Sequence, residues 1–220
     1  HPRVAAARQP PRVVADVATS TVRSPSISLV SISATMSGSI TARVIGVAVS
    51  VAIGVGGIGA AIGVSIARNL IGWRPAADPS SAAATRESTL GLVKASVTDS
   101  SLDAGGDLQV WATGSSTITA VVEASAVAAS GGLVAFGASG AGASTRNRIA
   151  TAVIASIDGD GSIGIGAASV SVKATNTSSI FATTGAAGVA VAIGLVGAAV
   201  SVTRSETQNE ITTSVLAEIR

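Results

Sequence analysis

Few residues in this chain have a type and spacing that could carry chemistry. His1 is the only histidine, and it stands at the first position without the fixed nucleophile or acid beside it that general acid–base catalysis needs. The absence of cysteine removes thiolate nucleophiles, thiolate metal sites and any disulfide framework. Asp158-Gly159-Asp160-Gly161 sets alternating carboxylates in a Gly-rich turn, a pattern that can converge on a hard cation. Asp158 and Asp160 are therefore the candidate calcium ligands. The longer loop with a closing Glu is missing, so a solvated turn without a cofactor is the expectation. Asp99, Asp103 and Asp107 would share one helix face, but the surrounding pattern puts them at turns beside strands. Gly54-Val55-Gly56-Gly57-Ile58-Gly59 superficially matches a dinucleotide fingerprint, yet it lacks the βαβ context and the downstream acidic residue which that chemistry uses. No set of residues suggests an enzyme.

The elements that hold these residues are easier to read. Hydrophobic residues make up 47% of the chain and aromatics only 2%, with 25 glycines. Ordinary cores use large aromatic rings to fill irregular space. A core of Ala, Val, Ile and Gly packs instead in regular layers of small, similar side chains. The formal net charge is +2, and the one local bias is N-terminal, where Arg3, Arg8, Arg12 and Arg23 face only Asp16. Without aromatics to stack bases, this does not make a nucleic-acid surface.

Self-similarity organises the chain. The pair Ala-Thr occurs at Ala34-Thr35, Ala112-Thr113 and Ala174-Thr175. Each is followed at constant spacing by an isoleucine (Ile40, Ile118, Ile180), a glycine (Gly54, Gly132, Gly194) and an asparagine (Asn69, Asn147, Asn209). The boundaries follow: an N-terminal arm over 1–25 with a partial closing strand, then a first repeat over 26–107 containing an insertion at 73–91. A second repeat covers 108–169, and a third covers 170–220 without a cap.

Within each repeat, branched residues alternate with small ones. Ile45, Val47, Val49, Val51 and Ile53 are separated by Gly46, Ala48, Ser50 and Ala52. Period two with β-branched residues predicts strands. Both faces are apolar, so both should be covered, and the small face should let another layer approach closely. The glycine column predicts a bend or a tight backbone contact. Gly56-Gly57 and Gly131-Gly132 fit two-residue hairpin turns, and whether the strands turn back as hairpins or coil onward stays open. The asparagine column predicts a structural turn or a hydrogen-bonded ladder. The charge-free stretches 44–67 and 183–203 are long enough to raise a membrane-helix alternative. The strict alternation and the missing aromatic belts argue against membrane insertion.

The segment from Ala95 to Thr113, with its Gly105-Gly106-Asp107 turn before the strand Leu108-Gln109-Val110, resembles the repeats of large secreted bacterial filamentous adhesins and leukotoxin-like surface proteins. The resemblance spans roughly Ser26 to Arg220. It implies an all-β fold, a solenoid-like or stacked-sheet rod of three Ala/Gly/Val-rich repeats, at the cell exterior. Those proteins carry many repeats, which points to a fragment or to subunits that assemble end to end.

The strand Val13 to Val22 is similar to the closing strand at Ile211 to Ile219, so one molecule's N-terminal piece could continue the sheet of another. An open edge templates further strands, and head-to-tail contact that does not close gives a filament. The expected function is a secreted structural protein, a filament, sheath or adhesive stalk whose partner is itself. Val13, Val17, Ile211, Ile219 and Trp73 are the candidate interface residues. One alternative is a binding module that presents the 73–91 insertion to a carbohydrate or surface partner. Another is a membrane protein of helical hairpins.

Overall fold

A computed structural model describes residues 11–73, 90–159 and 161–220. Every regular element among them is a β-strand. In chain order these are β1 (Arg12–Ala18), β2 (Thr21–Ser24), β3 (Leu29–Ile53), β4 (Gly56–Ile71) and β5 (Gly91–Thr98). They continue as β6 (Ser101–Ala104), β7 (Asp107–Asp158), β8 (Ile165–Gly166), β9 (Ser169–Asn176) and β10 (Ser179–Ile219). The alternation of β-branched and small residues accounts for their type, because branched side chains favour the pleated backbone.

All strand pairing between elements is parallel. β7 lies at the centre of the main sheet, and the path β1-β5-β7-β10 runs across it, with β3, β4 and β9 also pairing β7. β2, β6 and β8 form a second, small sheet. The register matches equivalent residues of the repeats: Ile40 pairs with Ile118 and Ile118 with Ile180. No two-residue hairpin closes at either Gly-Gly pair. Gly54-Val55 makes the bend between β3 and β4, and Gly131-Gly132 lies inside β7. Backbone bonding therefore runs from one repeat to the next.

Each repeat sends out a long segment and brings it back. The outgoing segments are β3, the first half of β7 paired to it, and β9 with the start of β10. The return segments are β4, its partner 134–149 in β7, and 196–211 in β10. At the base, Val93, Val97, Leu108, Val110 and Val153 are fully buried in one cluster. A second base cluster joins Ile71, Ile118 and Ile149. Farther out the interior is almost entirely Ala, including Ala61, Ala126, Ala128 and Ala143.

The small residues allow the outgoing and return layers to approach closely. A Cβ placed on Gly59 would lie 2.7 Å from the Ala129 carbonyl oxygen, and one on Gly63 would lie 2.5 Å from that of Ser125. Ordinary stacked sheets sit about 10 Å apart because side chains fill the gap; here glycine removes them. Coverage differs from the expectation that both faces would be buried. The small face is inside, while Ile45, Val47, Val49, Val51 and Ile53 are exposed on the other. One face is filled by backbone and small side chains, so no second layer is left to cover the branched one.

Candidate assembly surface

The arms interleave. β4 lies between its own outgoing strand and that of the next repeat: Gly46 faces Ser65, and the Ser65 hydroxyl donates to the Glu123 carbonyl at 2.7 Å. The step recurs one repeat on, where a Cβ on Gly137 would lie 2.9 Å from the Val191 carbonyl oxygen. The order along the stack is outgoing, return, outgoing, return, outgoing, return. By that order, the first outgoing segment and the last return segment each have one facing neighbour among the described residues.

Burial follows this order. In the middle repeat Ile149 and Val153 are both fully buried, at 0% exposure. Their register partners in the third repeat, Ile211 and Val215, are 46% and 49% exposed. Asn147 is buried and Asn209 exposed. The third return segment carries the same kind of surface as the second, turned to solvent.

Val13, Val17 and Ile219 fall at the two ends of one column of strands, whereas Ile211 ends the neighbouring column that runs through Ile149 to Ile71. Val13 and Val17 lie on β1, paired with Val93 and Val97 of β5. β5 pairs in turn with the end of β7, and Ile219 pairs with Ile157 on the far side. β1 and the last part of β10 are thus opposite edges of one parallel sheet. Val13 and Val17 are half-buried against the base cluster, whereas Ile219 is exposed. Within the N-terminal arm, Arg12–Ala18 and Thr21–Ser24 are strands of the two sheets. His1, most of the 73–91 insertion and Asp160 lie outside the described residues.

The asparagines form a ladder. Asn69 Nδ2 donates to Asn147 Oδ1 at 2.7 Å, and Asn147 Nδ2 donates to Asn209 Oδ1 at 2.8 Å. Each amide has one donor and one acceptor side along the stack, so Asn209 keeps a donor group for a further member. Asn147→Ala should cost about 1–3 kcal/mol, because it strands a buried Asn69 donor. Asn209→Ala should cost less, and urea unfolding of the two variants checks the order.

Gly54, Gly132 and Gly194 stack at the arm tips. A methyl group at Gly132 would collide with the Gly54 carbonyl, and one at Gly194 with the Gly132 carbonyl. Trp73 lies under the Arg148 guanidinium, 5.1 Å from its ring centroid. Arg148 Nε in turn approaches Glu210 Oε2 at 2.9 Å, a charge contact out of line for a hydrogen bond. Arg148 was not singled out by sequence reasoning; its register between Leu70 and Glu210 shows only once the repeats are stacked. Trp111 pairs in register with Ser33 and Lys173, is partly exposed, and donates its indole N–H to Ser171 Oγ at 3.3 Å.

Asp158 ends β7. Among the described residues no group of three or more His, Cys, Asp or Glu is placed to hold a metal ion. Asp107 accepts from Ser169 Oγ at 2.6 Å, and Asp99 takes a positive φ at the turn after β5. The stretches that raised a membrane-helix alternative are strands, and no helix among the described residues is long and apolar enough to cross a membrane. The chain matches no protein-family model, no curated protein and no solved structure.

Proposed function

We propose that this chain is a structural protein, a β-solenoid-like rod that stacks head to tail with further molecules of itself into a filament, sheath or adhesive stalk. Its place outside the cell follows only from the resemblance to filamentous adhesin repeats. The observation that carries the reading is the inward face of the third return segment, exposed although its register partners on alternate positions from Ala135 to Ile149 in the middle repeat are buried. Inside the molecule, small residues of a return segment always meet small residues of the next outgoing segment. Gly197, Ala199, Ser201 and Thr203 continue that return surface, and half-buried Gly46, Ala48, Ser50 and Ala52 of β3 are the outgoing surface of a second molecule. The same movement sets β5 of the second molecule beside the free edge of β10, in the place that its own β1 fills in a single molecule, so β1 gives way and β5 is the added strand. The contact is heterologous and leaves both outer ends free, so it propagates.

The test compares the wild type with Val215→Lys. Val215 is exposed in one molecule and would be buried at a junction. Electron microscopy should show unbranched filaments for the wild type, with strands about 4.7–4.9 Å apart. Val215→Lys should keep its β circular dichroism yet sediment as single molecules, because an inward charge blocks edge pairing. A wild-type chain that stays single at every concentration would overturn the reading.

A further inference from the structure

We infer, against the expectation drawn from the alternation and the missing aromatic belts, that the arms enter lipid, with the tips of the outgoing and return segments inserted into the hydrocarbon of a membrane. The arm is apolar on both outer faces and at its end. Val47, Val49 and Val51 line one face and Ile58, Ile62 and Val64 the other, all exposed. At the tip Ile53 and Val55 are 88% and 78% exposed, and Leu133 and Leu195 extend the same surface across the second and third repeats. No charged residue interrupts 44–67, 124–145 or 184–203.

The dimensions suit a bilayer. At about 3.3 Å per residue, the arm runs roughly 30 Å from Ile45 to the bend at Gly54, which matches the ~30 Å hydrocarbon core. Exposed Arg43 and Arg68 flank the stretch 44–67 and exposed Arg146 follows 124–145, placed for anionic headgroups. The geometry favours lipid over a protein partner. A docked protein covers one face, whereas the apolar surface here wraps two faces and the tip, as a surrounding solvent does. The insertion is neither a helix nor a closed barrel. It rests on the proposed stacking in one respect: lipid does not tolerate open strand edges, and neighbouring molecules in a stack would pair them.

The chain has no cysteine, so a single introduced thiol can carry an environment-sensitive fluorophore. Ile53→Cys reports the tip and Thr41→Cys, exposed at the base, serves as control. Mixed phosphatidylcholine–phosphatidylglycerol vesicles are added to both labelled proteins, and electron microscopy of the same samples records stacking. The expected result is a blue shift at position 53, quenched by lipids spin-labelled deep in the acyl chain, with little change at position 41. The double variant Val51→Asp, Ile53→Asp, altered only at exposed side chains, should lose vesicle flotation by more than about tenfold. Stacks without a shift at position 53 overturn the lipid inference alone. A shift without stacks overturns the assembly reading and, with it, the edge pairing drawn from stacking, leaving insertion of single molecules; neither stacks nor shift overturns both. A blue shift of equal size before vesicles are added would mean that arms cover one another, and lipid would again be the wrong occupant.

Discussion

Ile149→Ala should destabilise the chain by about 2–5 kcal/mol, the usual cost of emptying a closed aliphatic site. Ile149 has no contact with solvent: it is 0% accessible and packs with Ile71 and Ile118, the half-buried Ile40 and Ile180 closing the cluster. Its neighbours belong to three repeats held in parallel register, so they cannot collapse into the void without breaking backbone pairing. Ile211 occupies the same position one repeat later and is 46% exposed. Ile211→Ala should cost well under half as much in a single molecule. Chemical denaturation at low concentration measures the pair. If stacking buries Ile211, its cost should rise toward that of Ile149 once filaments have formed. Equal costs at low concentration would show that the third repeat is covered in the single molecule.

Gly137→Val should disrupt the arm more than any exposed substitution on it. The first added carbon would lie 2.9 Å from the Val191 carbonyl oxygen and 3.3 Å from its carbon. Both are backbone atoms of the facing layer, so no flexible side chain can turn aside. Overpacking of this kind costs typically about 1–3 kcal/mol, and a rigid neighbour puts the expected value at the upper end. Gly142, on the same return segment, has nothing within 4 Å of the place a methyl group would take. Gly142→Ala should be nearly neutral, or slightly stabilising through reduced freedom of the unfolded chain. Thermal unfolding followed by circular dichroism separates the two. Similar melting temperatures for both variants would mean that the layers are not held at the observed spacing.

Much of the architecture was legible in the residues themselves. Strand type follows from local physics: alternating β-branched and small side chains state both the period and the face at every position. Internal repetition also showed which residues are equivalent, though not that equivalent residues would pair. Asn69, Asn147 and Asn209 come closest to an exception. An amide can both donate to and accept from another amide, so a column of them implies the hydrogen bonds found here.

Three things depended on the tertiary structure. Parallel pairing between repeats was decided there, since the Gly-Gly pairs suited hairpins equally well and local propensity does not see the next repeat. The identity of the buried face was decided there as well. Hydrophobicity alone would bury Ile45, Val47 and Val49, but close approach of two backbone layers requires Gly, Ala and Ser between them, and the larger side chains are left outside. The interleaving of return and outgoing segments came last, from the offset between facing layers. It gives Ile149 and Ile211, identical in type and in repeat position, opposite surroundings, because burial depends on the neighbouring segment rather than on the residue.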